Sequence, residues 1–143
     1  DKNKFLDDLS KYYKIEELKY HENIKRFFVL YFEGKFLKID LKDDYASNGA
    51  DCIDFGEFIL KDILNIQDET NDERVEFVPP TLGTDYLINQ VDTGITNVST
   101  LMRPVSMNLV IDYSKNKKFM PPKATWFEPK PLDGLFFYNI LDI

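Results

Sequence analysis

The chain has 143 residues and a mass of 16.8 kDa, with 25 acidic and 18 basic side chains, a formal net charge of −7 and a pI near 4.7. That length fits one domain, and a chain of this size buries about two-thirds of its unfolded surface without a disulfide or metal staple. With 43% hydrophobic and 15% aromatic residues it is not disordered by composition, and its acidity disfavours polyanionic partners such as duplex DNA or an anionic membrane.

In chain order, Phe5, Leu6, Leu9, Tyr12, Tyr13 and Leu18 recur at spacings of three and four, which predicts a helix over the first twenty residues. The period then changes. Lys25 to Phe32 (KRFFVLYF) is apolar on both faces, as a covered strand is, and Glu33-Gly34 is a two-residue turn signal. Lys35 to Leu41 alternates, with Leu37, Ile39 and Leu41 inward, so 25–41 is expected to be a β-hairpin. Residues 43–53 (DDYASNGADCI) are loop by composition. Asp54 to Glu57 has capping-box spacing and predicts a helix with Phe55, Phe58, Ile59, Ile63 and Ile66 as its buried stripe.

An acidic loop, Asp68 to Glu73, leads to an expected short strand at Val75 to Val78, stopped by Pro79-Pro80. Tyr86 to Val91 and Met107 to Tyr113 are further expected strands, the latter followed by a turn at Ser114 to Lys117. Prolines 121, 122, 129 and 131 bracket Trp126 in an expected rigid loop holding an edge strand. Leu135 to Ile143 (LFFYNILDI), entered through Asp133-Gly134, is expected as a final strand. There is no internal repeat and no long linker. The expectation is one α+β domain over residues 1–143, mainly antiparallel, with an N-terminal helix and one central capped helix.

Most catalytic chemistry is excluded by the residues present. The single cysteine, Cys52, allows no intramolecular disulfide, and the single histidine, His21, leaves too few ligands for zinc. Cys52 and His21 are the one formal nucleophile–base pair, but His21 sits in a charged stretch and a lone cysteine usually serves packing. There is no G-x-S-x-G elbow, and glycines 34, 49, 56, 83, 94 and 134 are too dispersed for a phosphate loop. Asp44 to Gly49 has the outline of half an EF-hand loop, yet Ala46 and Phe55 fall where the third and twelfth ligands belong. A looser oxygen site from Asp43, Asp44, Asp51 and Asp54 is the remaining cation option. Lys25 to Phe32 has the outline of an RNA-stacking strand, but Arg26 and Phe28 replace the small residues such a strand needs and Val29 replaces an aromatic. Asn97-Val98-Ser99 fits a glycosylation sequon, relevant only in a eukaryotic secretory context. No catalytic residue, cofactor or metal is therefore expected.

The charge is local. Residues 1–40 and 86–143 each carry a net +1, whereas residues 41–85 carry −9. Concentrated carboxylates repel unless a partner or cation offsets them. Besides a solvated, solubilising face, this predicts an acidic docking surface made of Asp43, Asp44, Asp51, Asp54, Asp68, Glu69, Asp72 and Glu73, facing a basic protein.

The run Phe58 to Ile66 (FILKDILNI), the acidic spacer, Val75-Glu76-Phe77-Val78-Pro79 and Tyr86 to Asp92 (YLINQVD) together resemble bacterial immunity proteins of polymorphic toxin systems. One family there has a helix, a short "EF-P" strand and a "YYLLN" strand in that order. This chain lacks the family's "SE" before the helix and has one Tyr in place of two. The resemblance covers residues 54–95 and implies a small α+β protein that binds a cognate toxin without catalysis. The expected function is thus a non-enzymatic, immunity-type inhibitor, with no nucleic acid and no membrane insertion. One alternative is a secreted or surface-anchored ligand- or glycan-binding domain, with Trp126 and Tyr113 lining a groove. Another is a structural subunit of a phage or secretion assembly. No apolar run reaches the length of a transmembrane helix, and the chain begins at Asp1 with no signal-like region, so a cytoplasmic protein is expected, or a periplasmic or surface-anchored one if a signal peptide was removed. The sequence leaves the oligomeric state open.

Overall fold

The computed structural model describes residues 2–18 and 27–126. Helix α1 (Lys2–Tyr12) runs directly into strand β1 (Tyr13–Leu18), and β2 (Val29–Phe32) and β3 (Lys35–Leu41) form a hairpin. A one-turn helix α2 (Asp51–Asp54) continues as a π-helix (Phe55–Ile63). A 3₁₀ turn (Pro80–Leu82) opens α3 (Gly83–Asp92), followed by β4 (Ser99–Leu101) and α4 (Met107–Lys115). The four strands form one sheet in the order β1-β3-β2-β4, and every pairing is antiparallel. The chain is α+β.

The hairpin follows its sequence closely. Glu33 and Gly34 both have positive φ, at 49° and 76°, the left-handed pair that matches the twist of two adjoining strands. All four residues of β2 are buried, and β2 is flanked on both edges by β3 and β4. On one face Phe28, Leu30 and Phe32 join Leu37 and Ile39 of β3, Leu9 and Tyr13, and Ile59 of the π-helix in the hydrophobic core. On the other face Tyr31 donates its hydroxyl to Asp92 Oδ1 of α3 at 2.8 Å, and Ser99 donates to Leu87 O at 3.3 Å. The sheet is therefore covered by α1 and the π-helix on one side and by α3 on the other. Burying both faces explains an apolar run with no polar side.

Several expected elements are different. The helix expected through residue twenty stops at Tyr12, because Tyr13 and Ile15 also alternate and β1 pairs with β3 from Tyr13↔Leu41 to Leu18↔Phe36. Val75 to Val78 is irregular and not a strand. Tyr86 to Val91 lies inside α3, with Leu87, Ile88 and Val91 half-buried at helical spacing. Met107 to Tyr113 lies inside α4, whose start is capped by Ser106 Oγ accepting the Leu109 N–H at 3.2 Å. Of the turn expected at Ser114 to Lys117, residues 116 and 117 form a turn, whereas Ser114 and Lys115 end α4. Strand β4 begins at Ser99, the last residue of the glycosylation sequon, which is buried. No strand surrounds Trp126 among the described residues. The expected strand at Leu135 to Ile143, His21, and the prolines 129 and 131 lie outside the described residues.

Candidate functional site

The residues expected to form one acidic surface split into two groups. Asp51 and Asp54 point inward, each only 5% exposed. Asp51 takes the Arg103 N–H on Oδ2 at 2.7 Å, Nη2 on Oδ1 at 2.6 Å, and Nε on both oxygens at 3.0 and 3.1 Å. Such a bidentate guanidinium pair is among the stronger polar contacts available to a protein. Asp54 accepts Ser47 Oγ at 2.7 Å, the Asn48 N–H at 2.8 Å and Asn48 Nδ2 at 3.1 Å. It does not cap the helix it was expected to open. The helix already starts at Asp51, after Ala50, and Asp54 instead fastens the preceding loop. Both carboxylates are buried and bonded within the chain, so the expected surface does not expose them.

The same loop explains Gly49, whose φ is +99° and whose missing Cβ leaves space for Leu109 of α4, whose Cδ1 would lie 3.2 Å from it. Asp43, by contrast, is exposed and pairs with Lys14 Nζ at 2.8 Å, which holds its carboxyl below the usual range. Asp44 is exposed beside it. The four-aspartate oxygen site is thereby dismantled, since Asp43, Asp51 and Asp54 each turn to a different partner. Among the described residues no group of three His, Cys, Asp or Glu side chains is arranged to hold a metal ion. Cys52 is half-buried, and burial pushes its thiol up, which keeps it protonated and weakly nucleophilic at neutral pH.

The remaining carboxylates occupy the loop after the π-helix. Asp68 accepts the Thr70 N–H at 3.0 Å and Asn71 Nδ2 at 2.7 Å, closing a turn that lowers its pKa. Asp72 takes Arg74 Nη2 at 2.6 Å, Nε at 2.8 Å and the Arg74 N–H at 2.9 Å, which brings its carboxyl down to about 2. Arg74 Nη1 also donates to Leu64 O at 3.2 Å, tying the loop to the end of the π-helix. Glu73 is exposed. Glu69 is different. It is half-buried, burial pushes its carboxyl up, and it makes no hydrogen bond to a described residue. Gly56 of the π-helix leaves room for it, with Glu69 Oε2 3.6 Å from where a Cβ would stand.

Glu69 and Asp68 line a cleft of about 380 Å³ between the π-helix and the segment after α4. Glu57 and Lys61, paired at 2.9 Å, form part of one wall, and Tyr113, Phe119, Met120 and Pro121 form the other. Phe119 is 96% exposed at the mouth. The arrangement offers a carboxylate without a hydrogen bond to a described residue, with Lys61 near it, beside an aromatic and aliphatic wall, which suits a lysine or arginine side chain with its apolar stem. Of the expected residues, the structure brings Asp68 and Glu69 together here and leaves Asp43 and Asp44 elsewhere, beside β1. Phe119, Glu57 and Lys61 were not expected at a site; the only sequence signal was an aromatic between a lysine turn and a Pro-Pro pair. Trp126 does not line this cleft, whereas Tyr113 does. No protein-family model, curated protein or solved structure matches this chain.

Proposed function

We propose that this chain is a non-enzymatic protein-binding domain that docks a basic partner protein on its acidic segment, most concretely as an immunity-type inhibitor of a toxin. The observation that carries this reading is Glu69, a carboxylate without a hydrogen bond to any described residue, set in a cleft walled by Tyr113, Phe119 and Met120. A basic side chain entering there would gain an ion pair and cover exposed aromatic surface together. Glu57, Asp68 and Glu73, and Asp43 and Asp44 farther off, would add steering rather than contact. Compared with the surface expected from sequence, the proposed one loses Asp51, Asp54 and the Arg74-bound Asp72, and gains Glu57 and Phe119.

The test is association kinetics with the products of the reading frames adjacent to this one. A basic product should bind, with an association rate that falls as salt rises. Glu69→Lys with Asp68→Lys should slow association about tenfold, a typical scale for lost steering at one patch. Phe119→Ala should mainly speed dissociation. Binding that is indifferent to all three substitutions would remove this surface from the reading, and the absence of any basic binder would remove the reading itself.

A further inference from the structure

The sheet ends on β1, a six-residue edge strand that no described residue pairs on its outer side. The opposite edge, β4, is only three residues long. Short edges, prolines, bulges and charges are the usual protection against further pairing; β1 contains no proline and pairs with β3 without a break in register, so its charges, Lys14, Glu16 and Glu17, are what govern further pairing. Its outward backbone groups can be identified. Lys42 donates its N–H to Tyr12 O, while Ile39 donates to Phe28 O on the β2 side. Lys14↔Asp40 and Glu16↔Lys38 are therefore the pairs bonded to β3, and the N–H and C=O of Ile15 and Glu17 point outward.

We propose that two copies of this chain associate through their β1 edges, antiparallel about a two-fold axis at Ile15, to make one continuous eight-stranded sheet. A two-fold axis perpendicular to a sheet keeps each side chain on its own face, so only a few registers are open. With Ile15 opposite Ile15 of the second copy, Lys14 stands opposite Glu16 twice. Those are the non-hydrogen-bonded pairs, in which Cα atoms are about 4.5 Å apart and side chains closest. A shift in one direction sets Glu16 against Glu16, and in the other Lys14 against Lys14. The charge pattern of this strand selects one register against its own copy. Lys14 and Glu16 are exposed over 61% and 69% of their side-chain surfaces, and their pairs with Asp43 and Lys38 lie at the surface, where a facing copy would share them. On the opposite face Ile15, which packs at the margin of the core, would meet its own copy and extend the apolar layer.

This inference is independent of the partner reading above, because β1 contributes no residue to the cleft. Sedimentation equilibrium of the full chain should show a concentration-dependent monomer–dimer equilibrium. Glu16→Lys should weaken the dimer about tenfold by placing lysines opposite lysines. The double exchange Lys14→Glu with Glu16→Lys should restore it, since the opposed pairs become complementary again. Both positions are on the surface, and unchanged circular dichroism would show that the variants fold. A chain that stays monomeric to millimolar concentration, or a dimer that neither weakens with the single exchange nor recovers with the double one, overturns the proposal.

Discussion

Every buried hydrophobic side chain of the described residues lies between Leu9 and Ile66, whereas seven of the eight exposed large hydrophobics, Phe77 to Trp126, come after that point. The first stretch closes a core between α1, the π-helix and the sheet. The second lays α3 and α4 on the outside with no fully buried residue in either helix. The later stretch is tied back by the pairing of β4 with β2 and by side-chain bonds that include Arg103 to Asp51, Tyr31 to Asp92 and Arg74 to Leu64 O. Apolar burial resides in one part and exposed apolar surface in the other. Apolar burial contributes about 25 cal/mol per Å², so side chains that remain in solvent add little to the fold and remain available for contact.

This contrast can be broken most directly in the core. Leu30→Ala empties a fully buried position on the central strand and should cost about 2–5 kcal/mol in urea unfolding, enough to threaten folding of a typical domain. A smaller effect would mean that the sheet is less central to stability than its burial indicates. Asp51→Asn tests the tie between the two stretches. It leaves the Arg103 donors partly unmet and should cost about 1–3 kcal/mol, with hydrogen exchange quickening in α4 before β2.

Ile111→Ser and Ile95→Ser, on exposed side chains, should each stay within about 0.5 kcal/mol of the parent. A larger loss at either would show that the later stretch carries more packing than its exposure implies. The smallest expected effect is at Asp72, which is partnered but on the surface. Its carboxyl is held at about 2, below the unfolded value, so its contribution is complete above the ordinary carboxylate range and lost as pH falls toward 2. Asp72→Asn should remove only that acid-side increment, read by comparing the two proteins' unfolding midpoints at pH 5 and pH 2. Glu69 has the opposite sign. Its raised pKa means the folded state binds protons more readily, so Glu69→Gln should not destabilise at neutral pH and should flatten the gain seen on acidification through its pKa.

Legibility in the sequence followed the range of the interactions. The hairpin was readable because Glu33-Gly34 and the alternation of Leu37, Ile39 and Leu41 act between neighbours. The stripe Phe55, Phe58, Ile59, Ile63 was readable as a helix, though its π geometry was not. Tyr86 to Val91 and Met107 to Tyr113 were misread because their apolar residues satisfy both a period of two and a helical face. Ser106 as a cap, and Gly83 ahead of Tyr86, were the local signals that distinguish them. The two segments at Val75 and Tyr86 that carried the likeness to immunity proteins as strands are irregular chain and helix. At the site, the acidity of residues 41–85 was visible, but its direction was not. Asp51 finds a partner 52 residues away and Asp54 one in its own loop, and no spacing rule distinguishes them from Asp68 or Glu69.

By itself the sequence determined the class of the protein: α+β, built around an apolar hairpin, with its charge gathered in one segment. Those properties are set by composition and by contacts between near neighbours, which the order of residues already contains. The tertiary structure decided which carboxylates are structural and which face solvent, that no described strand pairs the outer side of β1, and that Glu69 and Phe119 line one cleft. These depend on segments distant in the chain meeting in space, where burial of a charge is tolerated only if a partner such as Arg103 arrives with it.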